Sequence, residues 1–321
     1  MQEPRPIHKL LCAAGLCCLA VSTAYAAQVN LPGLGDPDLV PTGKGWGEFS
    51  EFAPDRVEVP LLLHGELKAA ATYGINYHGG PVMLGTTPVY IIWYGNWSGN
   101  TATSLIPTFV NGLNGSAYQN INTTYYNSAA QHVSNALNVA GQASDTAYTY
   151  GKALSDAAIK SIVSAKCNTA AMGNCANNAI YAVLTSADVN ATSGFCTQYC
   201  GWHTHGSING KDVKYAFVGN PDRCIASCAA QKTGPNGNAG ADGLVSILTH
   251  EISETLSDPD LNAWYDKGGN ENADKCAWNF GTTSTASNGA KYNVTLGGKQ
   301  WLVQQNWANV APSGKCAISY P

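Results

Sequence analysis

Thr249-His250-Glu251-Ile252-Ser253-Glu254-Thr255-Leu256-Ser257-Asp258-Pro259 is the stretch in which a histidine and several acids crowd together, in a chain otherwise poor in charge. It continues through Trp264, Tyr265 and Asp266 to Glu271, Asp274 and Cys276. A helix is expected over its first half, with Asp242 placed to cap the start and Pro259 to stop it. At about 100° per residue, Leu244, Val245, Leu248, Ile252 and Leu256 fall on one side. His250 and Glu254, four positions apart, fall together on the opposite side, one helical turn from each other. Glu251 lies between the two faces.

This arrangement has two readings. In the plainer one, His250 and Glu254 form a solvated helix face with a weak ion pair. In the sharper one they are two ligands of a zinc ion, and Glu251 is the catalytic base acting on a metal-bound water. The spacing is that of the His-Glu-x-x-His metalloprotease helix with Glu254 in place of the second histidine, a replacement that zinc accepts. A gluzincin-type site takes its third ligand from an acid beyond the helix. Glu271 and Asp274 stand 21 and 24 positions after His250, and both are candidates. Calcium is the alternative ion, because Asp258, Asp260, Asp266 and Glu271 offer hard oxygen ligands, although their spacing is not that of an EF-hand. His203 and His205, two apart, would share one face of a strand and are an alternative source of ligands.

The first residues read as a secretory signal. Arg5, His8 and Lys9 give a basic start, Leu10 to Val21 is apolar, and Ala24-Tyr25-Ala26 fits the small-x-small processing rule. Cleavage after Ala26 would leave 295 of the 321 residues. The apolar run is too short to span a bilayer core of about 30 Å. A secreted or periplasmic protein without a membrane span is therefore expected. Three of the 11 cysteines fall in this leader, and the remaining eight suggest four disulfides in an oxidising compartment. Cys167–Cys175 and Cys276–Cys316 are plausible pairs. Cys196, Cys200, Cys224 and Cys228 have a zinc cluster as their alternative. Charged residues make up only 12% and the net charge is −4, so nucleic acid is excluded as a partner. The abundance of Asn, Ser, Thr and Tyr suits contact with carbohydrate.

Residues 27–75, interrupted by Pro32, Pro37, Pro41, Pro54 and Pro60, read as an extended arm, and the globular part is expected over 76–321. Pro88 to Gly95 is an apolar, β-branched and aromatic run, the mark of a buried strand. Further strands are expected near Val133–Val139, at Ala179–Leu184 and at Val213–Val218, the last following a hairpin turn at Asn209-Gly210. Helices are expected at Ser104–Leu113 and Ser155–Lys166. A last hairpin joins Tyr292–Leu296 to Gln300–Gln304 across Gly297-Gly298. The fold class is mixed α/β (α+β). The expectation is one zincin-like domain with a mixed sheet, a central motif helix and several disulfides.

Several of these pieces together resemble the EXORDIUM or phosphate-induced-protein family. They are Tyr77-His78-Gly79-Gly80-Pro81, Ile91-Ile92-Trp93-Tyr94-Gly95, Cys200-Gly201 with His203 and His205, Tyr215 to Asn220 with Cys224 and Cys228, and Asn236 to Gly243. The resemblance covers roughly Tyr77 to Cys316. It implies a secreted, cell-wall-associated protein and no settled biochemical activity. The plant pattern lacks the polar residues equivalent to His250-Glu251-x-x-Glu254, so this chain is similar to a microbial-type member, and a plant growth role is not carried over. Two expectations result. One is a secreted zincin-like metallohydrolase, a peptidase acting on peptide. The other is a non-catalytic extracellular protein binding cell-wall polymer or a host surface.

Overall fold

The computed structural model describes residues 74–321, apart from 267 and 268. The expected leader lies outside the described residues, as does the arm except for Gly74 and Ile75.

Strand β1 (Thr87–Tyr94) is buried at every position but Pro88, as expected of a strand with neighbours on both sides and both faces covered. Helix α1 (Ala102–Leu113) turns Leu105, Ile106, Phe109, Val110 and Leu113 into the core. Strand β2 (Leu137–Asp145) alternates between covered and exposed residues. It begins later than the sequence suggests. Val133 lies before the strand, in irregular chain where its N–H donates to the Tyr125 carbonyl at 3.0 Å. Helix α2 (Asp156–Cys167) starts at Ser155, whose side chain accepts from the Ala158 N–H. Strand β3 (Ile180–Thr185) is buried throughout. Strands β4 (Gly201–Ile208) and β5 (Lys211–Val218) form the expected hairpin. Asn209 and Gly210 both take positive φ, at 52° and 74°, the left-handed pair that matches strand twist in a two-residue turn.

The five strands form one mixed sheet in the order β2-β1-β3-β5-β4. β1 runs parallel to β2 and β3, and β3 parallel to β5. β4 is antiparallel to β5 and forms an edge. The chain then enters helix α3 (Ala239–Ser257), 19 residues long, which packs against β4, β5 and α1.

Two expectations about α3 are corrected. The cap is Asn238, whose side chain accepts from the Ala241 N–H at 3.0 Å. Asp242 sits in the first turn and accepts from the backbone and side-chain nitrogens of Asn236. The Asn-Gly-rich run before the helix therefore forms its entry. The solvated face is the second correction: every residue from Leu244 to Ser257 is buried, including His250, Glu251 and Glu254. Strand β4 before the helix and segments after it cover the face that periodicity left polar. The helix ends at Asp258 with Pro259 next, as expected.

Four disulfides brace this body: Cys167–Cys175, Cys196–Cys224, Cys200–Cys228 and Cys276–Cys316. The two pairs expected from the sequence form. The zinc-cluster alternative is overturned, because its four cysteines are consumed in two parallel bridges that tie the start of β4 to the segment leading into α3. The C-terminal hairpin forms with shorter strands, Val294–Leu296 and Lys299–Trp301. Asn76–Tyr77 pairs with Trp264–Tyr265 and holds the start of the described chain to the stretch beyond α3. One hydrophobic cluster runs from Ile75 to Ala317.

Helix α3 and strand β4 approach each other closely at Gly201. A Cβ there would stand 2.7 Å from Ile247 Cγ2 and 2.8 Å from Glu251 Oε1. Gly201→Ala is expected to lower stability by about 1–3 kcal/mol through overpacking, read as a fall in the urea midpoint. Gly206→Ala, on the same strand, meets only the flexible end of Lys160 at 3.3 Å. It is expected to leave the midpoint within about 0.5 kcal/mol of the parent.

Candidate metal centre

The i,i+4 relation on α3 brings His250 Nε2 to 3.0 Å from Glu254 Oε1. Asp274, in the short 3₁₀ turn Asp274–Cys276, adds its Oδ1 at 3.4 Å from the same ring nitrogen. The turn is fastened to the helix by its own backbone, since the Asp274 N–H donates to Glu254 Oε1 at 3.0 Å. Asp274 Oδ2 accepts from the Glu271 N–H at 3.1 Å. The Cys276–Cys316 bridge follows directly and anchors the segment from the other end.

Glu271 goes elsewhere. Its Oε2 lies 3.1 Å from His203 Nε2, on β4. The same ring nitrogen is 3.8 Å from Glu254 Oε2. The two downstream acids proposed as rivals for one position thus serve different histidines. His203, weighed only as an alternative ligand, stands beside the motif. Glu254 touches both sets, one through each carboxylate oxygen. The resulting triads, His250–Glu254–Asp274 and His203–Glu254–Glu271, each gather one possible ligand atom per residue within 4.8 Å.

Glu251 belongs to neither triad. It is buried and turned toward Gly201 of β4, where the absent Cβ leaves room for its carboxylate. It remains close enough for its charge to act on His250. Burial pulls the His250 pKa down. The charge of Glu254, a hydrogen bond to Asp274 and the charge of Glu251 push it up, and the outcome is well above the usual imidazole value. Tyr125 feels the same charge: burial first, then Glu254, raises its phenol well above the ordinary range.

The surroundings hold the two triads in place. Gln304 Nε2 is 3.0 Å from His250 Nδ1 and donates to the Ala273 carbonyl at 2.9 Å, so one amide positions both the ring and the turn carrying Asp274. Asn272 Nδ2 donates to the Ser253 carbonyl at 3.1 Å. Neither amide is legible in the sequence, where isolated Asn and Gln residues carry no motif. The site is closed: His203, Glu254 and Glu271 expose no side-chain surface, and Asp274 exposes 14%.

The calcium set does not assemble. Asp258 Oδ1 accepts from the Asn262 and Ala263 N–H groups beyond the helix end, and Asp266 binds Asn270 and Lys275. Asp260 joins a third group with His205 and Asp212. Lys214 already stands within that group, 2.6 Å from Asp212 Oδ2 and 3.0 Å from Asp260 Oδ1, and supplies the positive charge an ion would bring.

A cleft of about 520 Å³ opens at the C-terminal ends of β1 and β2, lined by Trp93, Asn96, Trp97, Ser98, Gln142 and Ser144 among others. It shares no lining residue with the triads, and no charged side chain lines it.

The family profile described as "Phosphate-induced protein 1 conserved region" matches residues 75–317. Similar proteins include "Protein EXORDIUM-like 5" of Arabidopsis thaliana, 31% identical over 73% of this chain and 75% of its own length. "Protein EXORDIUM-like 3" of the same plant is 30% identical over 74% of this chain and 81% of its own. "Protein PHOSPHATE-INDUCED 1" of Nicotiana tabacum is 30% identical over 60% of this chain and 67% of its own. No solved structure matches.

Gln304→Ala is expected to cost about 1–3 kcal/mol of stability, since it strips a buried carbonyl and the His250 ring of a shared contact. Urea denaturation measures it. Asp212 gives a prediction in pH. Burial raises its pKa, but hydrogen bonds and charge from Lys214 and His205 outweigh that and hold it below the usual value. Its stabilising contribution is therefore present above the unfolded value of about 3.9 and is lost as pH falls through the depressed folded value. Asp212→Asn should lower the urea midpoint slightly at pH 7 and leave it equal to the parent's in strong acid. The effect is small because the Asp212 side chain is 43% exposed.

Proposed function

Because this chain belongs to the EXORDIUM, or phosphate-induced-protein, family, we propose that it is an exported, non-catalytic member whose motif helix is braced internally by a divalent ion held by His250, Glu254 and Asp274. Four disulfides suit an oxidising compartment. No helix among the described residues is long and apolar enough to cross a membrane.

The observation that carries the reading is the combination of burial and charge. Glu251 and Glu254 are at most 1% exposed and sit beside His250 on the same helix. Carboxylates taken out of water are tolerated when paired with cations or metal ions. One imidazole nitrogen with two carboxylate oxygens is a donor set that zinc accepts. Neighbouring ligands on a tetrahedral ion with bonds of about 2.0–2.1 Å stand about 3.3 Å apart. The distances from His250 Nε2, 3.0 and 3.4 Å, bracket that spacing.

Closure favours a structural over a catalytic ion, because a catalytic zinc keeps a position open for water or substrate. Work at a surface is then the remaining role. The uncharged cleft beside Trp93 and Trp97 offers amide and hydroxyl groups next to aromatic rings, chemistry suited to a cell-wall polysaccharide. The second reading, a zincin-like peptidase, is favoured by two observations: a motif helix packed on a mixed sheet, and Glu251 next to His250. A bound zinc would supply Lewis acidity and a more acidic water. In that reading Glu251 holds the proton, and Asp274, the most exposed member, lies on the side where water enters.

Metal analysis of mature protein prepared without chelator tests the proposal. At least one stoichiometric divalent ion is expected, retained in Glu251→Gln and reduced in His250→Ala, with no peptide cleavage by either the parent or Glu251→Gln. Absence of any stoichiometric ion overturns the brace. Peptide cleavage that Glu251→Gln abolishes replaces the non-catalytic reading with the peptidase.

A further inference from the structure

Glu254 presents its two carboxylate oxygens to two different histidines. Oε1 faces His250 Nε2 at 3.0 Å, and Oε2 faces His203 Nε2 at 3.8 Å. We propose that Glu254 bridges two divalent cations, the second held by His203 and Glu271. This rests on the reading of the first ion at His250, Glu254 and Asp274, and extends it to a carboxylate-bridged pair.

Geometry separates the two positions. Ligand atoms of one ion with bonds of about 2.0–2.1 Å lie at most about 4.2 Å apart. The five residues do not form one group even within 4.8 Å; they form two groups of three that share only Glu254. A single ion therefore does not collect all five. The second group has the right spacing for an ion of its own, with His203 Nε2 at 3.1 Å from Glu271 Oε2 and 3.8 Å from Glu254 Oε2. Its mixed imidazole and carboxylate donors suit zinc or manganese better than calcium, which prefers oxygen alone.

Each group sets one imidazole nitrogen against two carboxylate oxygens, a donor set that a divalent ion accepts. An ion at each position would place positive charge where carboxylates taken out of water meet. Metals bridged in this way stand about 3.5–4 Å apart. His203 and Glu271 expose no side-chain surface, so the second ion should enter during folding and exchange slowly.

The experiment uses the full mature chain, purified without chelator and assayed for metal per folded chain by mass spectrometry. Two ions are expected in the parent and one in His203→Ala. A parent with one ion overturns the bridge and leaves the first site standing, whereas a parent with none overturns both. If His203→Ala does not fold, the parent decides alone: it is refolded with manganese(II) as the only metal and examined by electron paramagnetic resonance. An exchange-coupled pair signal is the expected result. The six-line pattern of isolated ions contradicts the bridge.

Discussion

The contact between Glu254 and two imidazoles is the constraint on which the rest depends. A carboxylate with no exposed surface, in the buried last turn of a helix, is an expensive thing to place in a protein core. Three separate parts of the chain meet it: His203 from the sheet edge, His250 from the helix itself, and Asp274 from the turn beyond the helix. Each of those parts is held by something else. Hairpin pairing with β5 fixes His203, Gln304 fixes the His250 ring, and the Cys276–Cys316 bridge adjoins Asp274. The polar centre and the apolar core therefore specify the same arrangement, since a slip in helix or edge strand would break both.

The antiparallel edge strand is how the fold admits this centre. β4 and β5 turn tightly on Asn209-Gly210, and alternate residues of β4 face one way. His203 and His205 leave that face, and each finds acids: Glu254 and Glu271, on α3 and beyond it, for the first, and Asp212 of β5 with Asp260 beyond α3 for the second. The outcomes differ because Lys214 reaches the His205 group and pairs with both of its acids. There the polypeptide supplies its own cation. At Glu254 the proposed divalent metal would take that role.

Much of the frame was legible in the sequence. The run from Pro88 to Gly95 marked the central strand because a doubly covered strand is apolar at nearly every position. Asn209-Gly210 marked a hairpin through backbone chemistry alone. The four-residue step placed His250 and Glu254 together, as local geometry requires. Long-range facts were not legible. Periodicity separates a polar from an apolar face but does not say what covers the polar one, so the motif face looked solvated when it is buried. His203 lies 47 positions before His250, and only the tertiary fold brings the edge strand beside the helix. Glu271 and Asp274 are alternatives in the sequence because their spacing is similar; the turn between them sends their side chains to different rings. Asp242 looked like the helix cap, yet Asn238 takes that place. Both residue types cap well, and the chain before the helix decides between them.

The central claim is that buried carboxylates around Glu254 are balanced by divalent metal. Scanning calorimetry of the mature chain, before and after metal is stripped and then restored, tests it most directly. A ligand present at about 100 times its dissociation constant stabilises by about 2.7 kcal/mol. Each kcal/mol shifts the melting temperature of a chain this size by about 2–4 °C. The account predicts a Tm lower by several degrees in the stripped protein and its recovery when the ion returns. An identical Tm in all three states would contradict it.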